Sequence, residues 1–222
     1  VKEIQEKNMN ITIFGASGAI GQLLTQLALD NGDFVTAYVR NPKKISLKHP
    51  NLSLVQGELS DASTIDKAVA KSDVVISTLG PASDMSRKLK GTPIADGHEL
   101  IIRAMKKLNK KRLITLATPA LQSDDDKKNI STILPGVLAK VFLPNGHAEM
   151  KKMEGLIKQS SLDWTVVRII NPNVKHNGQS YDYSLGDKPA KFGVSRENVA
   201  KLMYSAARDN QLIRKMPIIY NK

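Results

Sequence analysis

The chain has 222 residues, a formal net charge of +12, 41% apolar residues and no cysteine. That length and apolar content fit one α/β domain with a buried core, and the absence of thiols excludes a disulfide framework, a cysteine nucleophile and a thiolate metal site. No apolar run reaches the roughly eighteen residues of a membrane span, and the start lacks a secretory leader pattern, so a cytoplasmic protein with no membrane partner is expected.

The positive charge invites a nucleic-acid reading. Its distribution argues otherwise: Lys43-Lys44, Lys106-Lys107, Lys110-Lys111-Arg112, Lys127-Lys128 and Lys151-Lys152 are separate clusters, and aromatics make up only 5% of the chain. Stacking platforms are therefore scarce. Attraction for anionic small ligands is the more economical account, and nucleic acid is not an expected partner. The pattern leaves the oligomeric state open.

Residues 1–8 are charged and match no element, which marks them as an extension or a remnant of cloning before a domain spanning 9–222. Asn10 to Phe14 reads as a strand, Gly15-Ala16-Ser17-Gly18-Ala19-Ile20-Gly21 as a turn entering a helix, and that helix runs to about Asn31. Gly15 permits the tight turn, Gly18 admits a pyrophosphate close to the backbone, and Gly21 lets helix and strand pack closely. The helix start offers free N–H groups and a positive dipole end to phosphate. This is the pattern of a dinucleotide site.

Asp33 to Arg40 forms a second strand, closed by Asn41-Pro42. Where an NAD site carries an acidic residue for the ribose hydroxyls, this chain has Arg40, nineteen positions after Gly21, with Lys43 and Lys44 beyond it. Arginine holds a 2′-phosphate that a carboxylate would repel, so NADP (as NADPH) is the expected cofactor, selected by Arg40 and Ser17 with Lys44 close by. Asn51 to Gln56 is a third strand, and Ser60 or Asp61 caps a helix through Lys71. Val74 to Leu79 is a buried strand, and Gly80 at its end suits backbone lying beside the cofactor. Ile94 to Leu108 is helical, Arg112 to Ala117 is strand five, and Thr118-Pro119-Ala120 closes it.

The segments at about 119–146 and 170–193 read as loops on the substrate side. The first carries Asp124-Asp125-Asp126, which lacks metal-ligand spacing and reads as a solvated turn, and an apolar stretch, Ile130 to Leu143, suited to lying over a pocket. Gly146 to Ser160 is a helix and Leu162 to Arg168 a sixth strand. A short hairpin is expected around Tyr181 to Tyr183, a helix from a Ser195 cap to Arg208, and a last strand from Met216 to Tyr220. Strands alternating with helices give a Rossmann-like, doubly wound, mostly parallel sheet with helices on both faces.

Ligands of such sheets gather at the carboxyl ends of the strands. A tyrosine followed by a lysine four residues on is absent: the residues at that offset are Pro42, Leu185, Asp187 and Arg208, and Tyr220 has none. Instead, His147-Ala148-Glu149-Met150-Lys151 places a histidine and a lysine on one helical face, where that pair would fall. His147 is the candidate proton donor or substrate-orienting group, and Lys151 the candidate partner of the nicotinamide ribose. No metal site is expected.

The glycine turn, Val39-Arg40-Asn41, Ser77-Thr78-Leu79-Gly80 and Leu162-Asp163-Trp164-Thr165-Val166-Val167-Arg168 resemble the atypical short-chain dehydrogenases with an NAD(P)H-binding, NmrA-like domain. Within that group the biliverdin-IXβ and flavin reductases are most similar, through Asn177 to Tyr181, Ser195 to Ala200 and His147. The resemblance implies NADP(H) along Gly15 to Ile20, Arg40, Leu79, Gly80 and Thr118, with hydride passing directly to a planar acceptor such as a flavin or quinone. It also implies a pocket lined by a serine after strand five and by the helix-start histidine. Pro119 stands where that serine would be, which leaves Thr118 as the candidate catalytic hydroxyl. The same group includes sugar epimerase-like enzymes and regulators that sense NADP(H) without turnover.

Overall fold

A computed structural model describes residues 8–80, 91–142 and 144–222. Among these, eight strands form one sheet in the order β3-β2-β1-β4-β5-β6-β8-β7. The strands are β1 (Asn10–Phe14), β2 (Phe34–Val39), β3 (Leu52–Gln56), β4 (Val74–Ser77), β5 (Arg112–Ala117), β6 (Asp163–Arg168), β7 (Tyr181–Ser184) and β8 (Ile218–Asn221). The helices are α1 (Ala19–Asp30), α2 (Ala62–Val69), α3 (Pro93–Lys107), α4 (Ile130–Phe142), α5 (Pro144–Lys158) and α6 (Arg196–Arg208), with one 3-10 turn at Pro42–Lys44.

Strand period divides the core in two. Ile11, Ile13, Val74, Ile76, Ile114 and Val167 point to one face, where Leu24 and Ala28 of α1 meet Val199 and Met203 of α6. Phe14, Val75, Leu113 and Val166 point to the other, against Ile65 of α2, Ile101 and Met105 of α3, and Met153 and Ile157 of α5. Both faces are covered, so the central strands read as unbroken apolar runs.

All pairings from β3 to β8 are parallel, and only β7 runs antiparallel, against β8. The order reverses between β1 and β4, which opens a crevice at their carboxyl ends.

Several sequence expectations shift. The hairpin around Tyr181 to Tyr183 is replaced by a long-range pair: Tyr183 sits opposite Ile219 of the last strand. Asp61, not Ser60, caps α2, accepting from Thr64 N at 3.0 Å. Of the three aspartates, Asp124 and Asp125 form the expected solvated turn, with surface pairs to Lys158 and Lys215, whereas Asp126 departs from it and pairs with the buried Arg168. The apolar segment Ile130 to Leu143 contains α4; Leu143 itself lies outside the described residues. No helix among the described residues is long and apolar enough to cross a membrane.

Arg168 ties the segments at 119–146 and 170–193 to the sheet. Its guanidinium is fully buried and reaches both carboxylate oxygens of Asp126, at 2.6 and 2.7 Å, while Nε donates to Met216 O at 2.8 Å. Gly186, with φ +90°, packs so closely on Asp126 that a Cβ would collide with it. The Lys127 N–H donates to Gly186 O at 3.0 Å, and the Ala190 N–H donates to Ser131 Oγ at 3.0 Å.

Candidate functional site

The crevice is a cleft of about 740 Å³ whose walls include Gly15, Ser17 and Gly18 from the first turn and Thr78, Leu79 and Gly80 from the end of β4. Its first wall is shaped by two glycines. Gly15 has φ +79°, and a Cβ there would lie 2.8 Å from Thr78 Oγ1. A Cβ on Gly21 would fall onto Gly15 O, so the start of α1 packs directly against the turn. Thr78 closes the arrangement: its Oγ1 donates to Gly15 O at 3.0 Å and its N–H to Phe14 O at 2.9 Å.

The N-cap of α1 is Gly18, which supplies no side-chain cap, and the first turn holds no acidic residue. Its N–H groups therefore lack a side-chain acceptor at the mouth of the cleft, where the helix dipole is positive. Such an end fits a phosphate.

A smaller recess of about 300 Å³ adjoins this wall, lined by Ser17, Arg40, Asn41, Lys44 and Glu58. The 3-10 turn presents Lys44 to it, held by Asn41, whose side chain accepts from Lys43 N at 3.0 Å. A hydroxyl, a guanidinium, an ammonium and the Glu58 carboxylate thus share one recess beside the end of β2.

Tyr38, Gly57, Glu58 and Leu59 form a part of the wall that the sequence reading missed. Tyr38 donates its hydroxyl to Glu58 O at 2.7 Å, and a side chain on Gly57 would run into that phenol. Burial, with the nearby charges of Asp61 and Glu58, pushes the Tyr38 hydroxyl up to about 12, so it stays a neutral donor. The available signal was the position of Gly57-Glu58-Leu59 directly after a parallel strand.

The far wall is the first turn of α3, through Pro93, Ile94, Asp96 and Gly97. Its N-cap residue, Thr92, makes no side-chain cap. Glu149 of α5 does that work from a distance, accepting from Ile94 N at 3.0 Å and Ala95 N at 2.7 Å while itself only 1% exposed.

The predicted site residues divide. Gly15, Ser17, Gly18, Arg40, Leu79 and Gly80 line the cleft, and Lys44 lines the recess. Ala16 is buried in the core and Ile20 packs against it, while Ala19 is exposed, so for Ala19 and Ile20 only main-chain N–H groups at the helix start can serve a ligand. Thr118 is exposed one residue past β5, on the same edge of the sheet but outside the cleft wall. His147 is half-buried in the first turn of α5 and, among the described residues, makes no hydrogen bond.

Lys151 is not among the residues lining the cleft and pairs at 3.0 Å with Glu154, which also receives Lys158. The neighbouring Lys152 is the one that reaches the rim, pairing with Asp96 at 2.5 Å and Glu99 at 3.5 Å. The described residues contain no group of three histidines or carboxylates able to hold a metal ion.

A family model described as NAD(P)H-binding matches residues 15–210. The Arabidopsis thaliana protein named "Probable pinoresinol-lariciresinol reductase 3" is 33% identical over 91 residues, covering 39% of this chain and 30% of that protein. The chain thus matches less than a third of that relative's length. Among solved structures, a short-chain dehydrogenase/reductase from Veillonella parvula in complex with NADP superposes with a TM-score of 0.75 at 19% identity, covering 96% of this chain and 94% of that one. The anaerobilin reductase ChuY from Escherichia coli O157:H7 gives a TM-score of 0.73 at 21% identity, with coverage of 94% and 96%. At these identities the structures speak for a shared fold.

Proposed function

The chain belongs to the NAD(P)H-binding family, and from that premise we propose that it is an NADPH-dependent reductase acting on a planar acceptor such as a flavin or quinone. The observation that carries the NADPH preference is the recess in which Ser17, Arg40 and Lys44 converge beside the main cleft. Two cations and a hydroxyl there outweigh the single carboxylate of Glu58 and suit a 2′-phosphate dianion.

In this reading the uncapped start of α1 and the Gly15–Gly18 turn hold the pyrophosphate. Tyr38, Glu58 and Leu59 border the adenosine end, and Leu79, Gly80 and the α3 turn border the path toward the acceptor. When bound, the cofactor supplies the hydride. The chain's task is to orient the two rings and keep water from between them. His147 supplies or positions the proton, from a helix that Glu149 locks to the cleft wall two residues later. Thr118 offers a hydroxyl at the same edge. Reductase is the activity named for two of the similar proteins, the Arabidopsis relative and the E. coli structure.

A second reading, a sensor that binds NADP(H) without turnover, is favoured by one observation: Lys151 is paired with Glu154 and does not line the cleft. The test is oxidation of NADPH and NADH against a panel of flavins and quinones, with cofactor affinity measured by calorimetry on the same preparation. Acceptor-dependent oxidation that prefers NADPH supports the reductase. Tight NADPH binding with no oxidation supports the sensor, and equal affinity for NADH and NADPH removes the role of the recess.

A further inference from the structure

Helix α4 is inverted with respect to water. Ile130, Ile133, Leu134, Val137 and Leu138 fall on one stripe at helical spacing, and all five are exposed, by between 37% and 57%. Its buried residues near the start are polar: Ser131 is 0% and Thr132 is 4% exposed. A helix packed on a domain in water shows the opposite arrangement. The loop that adjoins the helix through the Ala190–Ser131 bond also exposes an aromatic ring, Phe192 at 46%.

The surround of this stripe is basic. Lys127 and Lys128 precede the helix, Lys140 lies in its last turn and Lys191 adjoins Phe192; all are exposed and, among the described residues, none has a carboxylate partner. Of the nearby aspartates, Asp124 to Asp126 are each committed to a cation elsewhere, and Asp187 of the adjoining loop accepts from Ser184 Oγ and Leu185 N, which leaves the lysines in the majority. An apolar helical stripe with free lysines about it matches a surface that is apolar below and anionic above.

We propose that α4 is a docking surface for anionic phospholipid bilayers, lying in the interface plane with its apolar stripe among the acyl chains and its lysines among the headgroups. The absence of a long apolar run bears only on spanning, and an interfacial helix needs none. A second copy of this chain is disfavoured as the occupant, since pairing through a shared stripe brings the same lysines together on a molecule of net charge +12. The inference does not rest on the reductase reading.

The test is co-sedimentation of the full chain with vesicles of phosphatidylcholine alone or mixed with phosphatidylglycerol. Binding to the anionic vesicles is expected to exceed that to neutral ones by more than roughly tenfold and to fall with added salt. The variant Ile133→Ser/Val137→Ser/Leu138→Ser keeps every charge and is expected to lose the binding with its melting temperature unchanged. Should it unfold, Lys127→Glu/Lys128→Glu/Lys140→Glu, which leaves the stripe intact, is expected to lose it as well. Equal binding to both vesicle types, no binding to either, or full binding by a folded variant of either kind overturns the proposal. So does light scattering that shows a dimer dissociated by the serine variant, which would assign the stripe to a second copy.

Discussion

Glu149 and Ile94 stand 55 positions apart, yet the Glu149 carboxylate accepts the Ile94 N–H at 3.0 Å and so finishes a helix to which it does not belong. The bond joins α5, which carries His147, to the turn of α3 that walls the cleft. The Glu149→Gln variant keeps an acceptor but loses the charge that complements the α3 dipole and presents an N–H group to two donors. It is expected to lower stability by about 1–3 kcal/mol and to weaken NADPH binding. Urea denaturation and calorimetry check both.

Arg40 is expected to separate the two cofactors. Arg40→Ala removes a charge-assisted contact of about 1.5–3 kcal/mol, so NADPH affinity falls roughly 10- to 100-fold while NADH changes little. Binding titrations with both nucleotides decide it: equal weakening takes Arg40 out of the 2′-phosphate role.

Gly21 and Gly155 are both helical glycines, and they should respond oppositely to alanine. At Gly21 the new methyl falls onto Gly15 O, so the turn must shift; a loss of about 1–3 kcal/mol and a large drop in cofactor affinity are expected. At Gly155 nothing lies within 4 Å, and the gain in helix propensity is expected to stabilise the protein by about 0.5–1 kcal/mol. Melting curves of the two variants make the comparison.

The first strand, turn and helix were legible because their constraint is local: spaced glycines dictate backbone geometry within a dozen residues. The Ser195 cap and the end of α6 at Arg208 were legible for the same reason. What escaped depended on partners far along the chain. Nothing near Tyr183 announces Ile219 as its opposite number. Helical spacing correctly put His147 and Lys151 on one face, but which face meets the cleft is set by where Glu149 docks. That is why Lys152, one position later, reaches Asp96. Glu149 was in view as a spacer between two candidates, and only α3 reveals its purpose.

His98 gives the fold a dependence on acid. It is fully buried, Nδ1–H donates to Ile94 O at 2.8 Å and Nε2 faces Thr115 Oγ1 at 3.0 Å. Burial holds its pKa below the ordinary 6.5, although the bond to Ile94 works the other way. The unfolded chain therefore takes up this proton before the folded one does. The stabilisation is complete above about pH 6.5 and is lost as pH falls through the lower folded value, with a slope of up to about 1.4 kcal/mol per pH unit. Denaturation at a series of pH values should show this decline in the native protein and a flatter profile in His98→Gln.

The Arg168–Asp126 pair has a consequence for how the two segments it joins can diversify. The guanidinium at the end of β6 holds the first segment through Asp126, and the second, which also pairs with β8 through β7, supplies the glycine that only fits against that carboxylate. A loop transplanted alone into a homologous scaffold would leave either a stranded charge or a collision. Recombination should therefore succeed when the segments around Asp126 and Gly186 travel together and fail when they are swapped singly.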